Sequence, residues 1–178
     1  INESSVPNLT ASADTTVVFD YTTLVSGAAA DTYTLSINGT NIYNAASQTT
    51  IAGADMAIAI NANSAATGVT ATFSSGKLTL NASDGRNIVV SQTATDADAS
   101  STLIGAGLTT TSAGLNNTAN DALTAATVAS GTAVSNTFGG TIRLTSTESI
   151  TLSGNNEAYI GYADGSSMAL GASADRKS

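Results

Sequence analysis

The sequence predicts an α+β fold that is sheet-dominated, with antiparallel strands and short packed helices, arranged as two related helix-plus-hairpin units. Three observations predict it. Runs of β-branched, aromatic and aliphatic residues alternate with Thr and Ser. Asn-Gly, Ser-Ser-Gly and Ser-Asp-Gly turns fall between those runs. Two alanine-rich stretches with helical spacing each precede a hairpin-like pattern.

Residues 1–14, with the only proline at Pro7, read as an extended lead-in. Thr15 to Val25 is rich in Val, Thr, Phe and Tyr and reads as a strand. After a turn around Gly27 to Asp31, Thr32 to Ile37 places Tyr33, Leu35 and Ile37 on one face and Thr32, Thr34 and Ser36 on the other. Asn38-Gly39 is the strongest short hairpin signal in the chain, and Asn41 to Tyr43 is the expected return strand. Ile51 to Asn63 is the first expected helix. Ile51, Asp55, Ile58 and Ala62 form one stripe, and Met56 and Ile60 lie on the adjoining one. Thr49 or Thr50 is the expected cap, and Asp55 suits the helix dipole. Gly68 to Phe73 and Lys77 to Leu80 then form a hairpin, and Ser83-Asp84-Gly85 turns the chain into the strand that starts near Ile88. Ile58, Ile60, Phe73, Leu78 and Leu80 are the expected core of this unit.

The second half repeats the pattern. "VTATFSSGKLTL" (Val69 to Leu80) aligns with "VSNTFGGTIRL" (Val134 to Leu144) when one loop residue is dropped, and a second helix is expected over Asn120–Ala129. Leu144 would then answer Leu80. Further strands are expected at Ile150 to Leu152 and Ala158 to Tyr162. The resulting organisation is a lead-in at 1–14, a first unit at 15–95, a linker or long loop at 96–117, a second unit at 118–172 and an exit segment at 173–178.

Composition narrows the function. Charged residues are 10% and aromatics 4%, and His, Cys and Trp are absent. Ser and Thr make up about three residues in ten, well above ordinary usage. Such a surface is solubilised by hydroxyls, and the core is built from Val, Ile, Leu and Ala, with Phe19, Phe73 and Phe138 as fillers. The net charge is −8, and the five basic residues are scattered, so nucleic acid and anionic membrane surfaces are disfavoured as partners. No apolar run is long enough to span a bilayer. The composition also fits bacterial extracellular proteins that cross the envelope unfolded.

Chemistry finds few actors. Without His or Cys, the usual hydrolytic triads and zinc sites lose their main groups, and the thirteen acids are thinly spread, mostly in turns. Asp96, Asp98 and Ser100 begin like a calcium loop, but positions six and twelve are Ser101 and Gly107 where Gly and Glu are required. The expectation is therefore no enzyme, no cofactor, no metal and no catalytic residue. Asn-x-Ser/Thr sequons at Asn8, Asn38, Asn81 and Asn116 are expected by chance in this composition.

The stretch from Tyr33 to Val90 resembles the flagellin IN motif. The residues that carry the resemblance are Ile37-Asn38-Gly39, Ile60-Asn61, Thr67-Gly68-Val69, Gly76, Leu78, Leu80 and Ser83-Asp84-Gly85. It covers about a third of the chain and is specific in combination. A flagellin also has long amphipathic terminal helices that build the filament core, and neither end of this sequence shows one. The resemblance therefore implies the central, variable, solvent-facing outer region of bacterial flagellin: a structural component of the extracellular filament, used in motility and surface contact. Its implied partners are other flagellin subunits in the intact filament, with glycans or host and surface ligands beyond them. Alone, the chain is expected to be monomeric. An outer region inserted between two helices is also expected to have its two ends side by side and leaving in the same direction. Two alternatives stay open: the corresponding region of a filament cap or hook-junction protein, and a stand-alone bacterial adhesin or carbohydrate-binding module.

Overall fold

A computed structural model describes residues 8–24, 32–47, 50–95, 107–109, 133–147, 149–151, 167–168 and 173–175. Its longest element is β1 (Thr10–Thr22), whose burial alternates so that Thr15, Val17, Phe19 and Tyr21 point inward. β1 pairs antiparallel with β5 (Lys77–Ala82), which forms a hairpin with β4 (Thr70–Ser74). Asp20 pairs with both Lys77 of β5 and Thr109 of β7 (Gly107–Thr109), so β5 and β7 flank β1 on opposite sides. The first half of β1 pairs with β9 (Thr141–Thr145), which carries β12 (Ser173–Asp175) on its other side. A second sheet has the order β3-β2-β6-β8, from β3 (Thr40–Ser47), β2 (Thr32–Ile37), β6 (Ile88–Thr95) and β8 (Val134–Phe138). β10 (Ile150–Thr151) and β11 (Ser167–Met168) form a separate pair.

The two larger sheets share one core. Period-two alternation aims Tyr33, Leu35 and Ile37 from β2, and Ile88, Val90 and Ala94 from β6, at Val17 and Phe19 of β1 and at Leu78 and Leu80 of β5. Phe19 and Phe138 meet edge to face across the sheets with centroids 5.3 Å apart. A smaller cluster forms beside the first half of β1, where Leu144 and Ile150 pack with Leu9, Ala11 and Ile142. Leu144 thus belongs to a different core from Leu80, contrary to the expected equivalence.

The first helix forms, as α1 (Gly53–Ala62) followed by one further turn, α2 (Ser64–Thr67). Its cap residue is Ala52, with no side-chain hydrogen bond, so the expected cap Thr50 does not serve, and Thr49 lies outside the described residues; Asp55 does lie in the first turn. Ile51 precedes the helix in a bridge to Leu24. The buried stripe is Gly53, Met56, Ala57 and Ile60, and Ile58 is 66% exposed. At 3.6 residues per turn, Ile58 lies about 200° around from both Met56 and Ile60, so burying that stripe turns Ile58 to solvent. Phe73 is only partly covered: its ring lies over Gly53 and edge-on to Tyr21.

In the second half, the expected hairpin is not one. β8 pairs with β6 and β9 pairs with β1, so the Phe138-Gly139-Gly140-Thr141 connection crosses from one sheet to the other. Gly140 makes the crossing feasible, because a Cβ there would lie 2.6 Å from Thr15 Oγ1 and 2.7 Å from the Gly85 carbonyl. The expected helix at 120–129 and the strand at 158–162 lie outside the described residues. Thr10–Asp14 belongs to β1, not to a lead-in, and β7 stands within the expected linker. Among the described residues no helix is long and apolar enough to cross a membrane.

The first and last described strands flank β9. Thr145 pairs with both Thr10 and Ser173, which places those two residues about 10 Å apart, two strand spacings. Both strands run antiparallel to β9 and therefore parallel to each other, so the expected adjacency is met and the expected common direction of exit is not.

Leu80→Ala should cost about 2–5 kcal/mol in urea unfolding, since Leu80 is fully buried in the core between the two sheets. Ile58→Ala should change stability by no more than about 0.5 kcal/mol. A comparable loss for both would mean that α1 is rotated relative to this arrangement.

Candidate functional site

Three segments of the motif, around Asn38, Thr67 and Asp84, meet at one junction at the end of α2. Ile37 ends β2 fully buried, and Asn38 and Gly39 both take left-handed φ values, 49° and 78°, in the β2–β3 turn. From that turn Asn38 Nδ2 donates to the Thr67 carbonyl at 2.8 Å, while Oδ1 accepts from the Val89 N–H at 2.8 Å. The Asn38 N–H donates to the Val89 carbonyl at 2.9 Å. The carboxamide thus prolongs the β2–β6 ladder past the point where the backbone has turned away.

The Thr67 carbonyl has a second donor, Arg86 Nη1, at 3.3 Å. Arg86 is held by Asp84, which accepts from Nε at 2.7 Å and from the Arg86 backbone N–H at 3.1 Å. That hydrogen-bonded pairing lowers the Asp84 carboxyl below its ordinary range. Thr15 Oγ1 donates to the Arg86 carbonyl at 2.7 Å, tying the loop to β1. Gly68 caps α2 at φ 71°, and the Arg86 guanidinium lies so close over it that a Cβ would approach within 2.4 Å. Thr67 is fully buried, and its hydroxyl donates to the Asn63 carbonyl and accepts from the Val69 N–H. Gly85, at φ 72°, closes the Ser83–Gly85 turn by donating to the Ala82 carbonyl; Ser83 itself is exposed.

The remaining motif residues are elsewhere. Ile60, Val69, Leu78 and Leu80 are core. Gly76 lies at the tip of the β4–β5 hairpin, where its carbonyl accepts from the Tyr21 N–H at 3.0 Å. Asn61 clips the helix to the sheet: Nδ2 donates to the Ala71 carbonyl and Oδ1 accepts from the Ala71 N–H, both at 2.8 Å. The edge strand β4 is closed at that residue by a side chain in place of a neighbouring strand.

Gln92 does the same between sheets. Buried on β6, it donates through Nε2 to the Leu108 carbonyl at 2.7 Å and accepts through Oε1 from the Leu108 N–H and from Tyr33 Oη. Burial raises the Tyr33 phenol well above its ordinary value, and Tyr21, whose hydroxyl donates to the Ile51 carbonyl at 2.7 Å, is raised by the same cause. Of the sequons, Asn38 and Asn81 already spend Nδ2 on protein acceptors, whereas Asn8 is exposed.

Sequence reasoning missed Arg86 and Gln92. Gln92 carried a signal: it is the one long polar residue at an inward position of the alternating run Ile88, Val90, Gln92, Ala94. Arg86 had only its position, two residues after Asp84. Among the described residues no cluster of three or more acidic side chains is placed to hold a metal ion. The exposed Lys77–Asp20 pair joins β5 to β1 and adds little stability. What this arrangement can do is hold a helix end, the β2–β3 hairpin turn, the Ser83–Gly85 turn that passes from one sheet to the other, and the two sheets in fixed relation. Compared with known proteins, the chain matches no family model and no curated relative.

Gln92→Leu leaves the Leu108 amide, the Leu108 carbonyl and the Tyr33 hydroxyl without this partner, and should destabilise by more than about 2 kcal/mol in chemical denaturation. The tyrosines set an alkaline limit. Their phenols hold protons to higher pH folded than unfolded, so their contribution is fully present below pH ~10 and is lost as the pH rises above it. Thermal melts should fall steeply above that pH, and Tyr33→Phe should make the fall shallower; an unchanged slope would contradict a buried, protonated Tyr33.

Proposed function

We propose that the chain is a solvent-facing outer domain of bacterial flagellin, a structural part of the extracellular filament with no catalytic role. The observation that supports this reading is the meeting of three of the motif's segments. Its Asn-Gly turn, Thr-Gly-Val segment and Ser-Asp-Gly turn, up to 48 positions apart, are joined through Thr67, Asn38 and Arg86 into one junction. A resemblance confined to scattered short words would have no reason to form one physical unit. The adjacency of β1 and β12 across β9 also suits a domain inserted into a longer chain. A net charge of −8 opposes self-association of the isolated domain near neutral pH.

The parallel sense of β1 and β12 favours a second reading, a stand-alone surface module, because an inserted domain is served best by strands that leave together. A filament cap or hook-junction protein is the third. Antibodies against the isolated domain, imaged on intact cells of the source organism, separate them. Labelling along the whole filament is the result expected. Labelling only at the tip or at the hook would assign the cap or the junction, and labelling over the cell body would replace this reading with the adhesin.

A further inference from the structure

Asn38-Gly39 is the only Asn-Gly pair in the chain and the most labile carboxamide context it contains, because Gly39 has no Cβ to hinder its own amide nitrogen. We propose that Asn38 is a deamidation site held closed by the fold, so that modification there marks chains whose junction has opened. The reaction needs only water. The Gly39 amide nitrogen, giving up its proton to solvent base, attacks Asn38 Cγ. The Cγ–Nδ2 bond breaks and ammonia leaves with a proton from solvent. Water then opens the cyclic imide at either carbonyl, giving aspartate or isoaspartate.

Two features hold the site closed. Oδ1 and Nδ2 are bonded in opposite directions, to the Val89 N–H and the Thr67 carbonyl, both at 2.8 Å, so the carboxamide is clamped between β6 and the end of α2. Presenting Cγ to the Gly39 nitrogen requires the carboxamide to rotate out of both bonds. The change is also one-way, since a carboxylate has no N–H to return to the Thr67 carbonyl.

The backbone supplies its own control. Ser75-Gly76 has nearly the same conformation as Asn38-Gly39, with φ values of 50° and 75° against 49° and 78°, but sits at an exposed hairpin tip. Ser75→Asn therefore creates a second Asn-Gly turn of like geometry without the clamp. The Ser75→Asn chain is incubated at mildly alkaline pH, native and in urea, and the gain of about 1 Da at each site is followed by peptide mass spectrometry. In urea both sites should react at similar rates. In the native chain Asn38 should react at least about tenfold more slowly than the substituted position 75, the factor expected when a net hydrogen-bond energy must first be given up. Equal native rates would show that turn conformation alone governs the chemistry, and equal rates at Asn38 in urea and in native buffer would show that the fold does not protect it; either result overturns the proposal.

Discussion

A side-chain carboxamide standing in for a strand's backbone is the interaction on which the rest of this structure depends. Asn61 takes both backbone groups of Ala71, Gln92 takes both of Leu108, and Asn38 continues the pairing with Val89 after its own backbone has turned. The Asn61 and Gln92 clips close strand edges that would otherwise present unpaired amides, the Asn38 clip extends a ladder past its turn, and each fixes a relation that hydrophobic packing sets only loosely: helix to sheet, sheet to sheet, and turn to helix end. The need follows from composition. With aromatics at 4% and charged residues at 10%, the chain has few large anchors or ion pairs to define geometry, so short polar side chains with paired donor and acceptor do so.

β1 distributes that order. Its second half faces the main core through Val17, Phe19 and Tyr21, and its first half carries Ala11 against Leu144 and Ile150 in the smaller cluster. The two clusters therefore share a continuous backbone. The Gly139-Gly140 crossover, the Ser83–Gly85 turn and Arg86 all meet near Ala13 to Thr15, where the character of β1 changes from partly exposed to buried.

Much of the sheet was legible. β2 and β5 announce themselves by strict alternation, β6 by an alternation that Val89 and Gln92 interrupt, and Asn38-Gly39 takes the left-handed turn its residues predict. The rest was hidden for identifiable reasons. In α1 the alanines leave little contrast between faces, so Ile58 looked as fit for burial as Met56, and only contact with β4 chooses. Thr10–Asp14 and Gly107–Thr109 have no strand pattern of their own; pairing with β9 and β1 makes them strands. β8 and β9 read as a hairpin because local sequence cannot say that their partners are β6 and β1. In the motif, single residues were legible as turns and core, but their meeting at Thr67 depended on Arg86, which no local pattern distinguished.

Amide hydrogen exchange tests the central claim most directly. The N–H groups of Ala71, Val89 and Leu108 donate to side-chain oxygens at 2.8, 2.8 and 3.1 Å, and not to a neighbouring strand. If the carboxamides act as backbone surrogates, these three amides exchange as slowly as ladder amides in β5 and β6 and open together with them. Exchange as fast as that of the exposed Ser75-Gly76 turn would contradict the account, because the clips would then be passing contacts and not the bonds that close the edges.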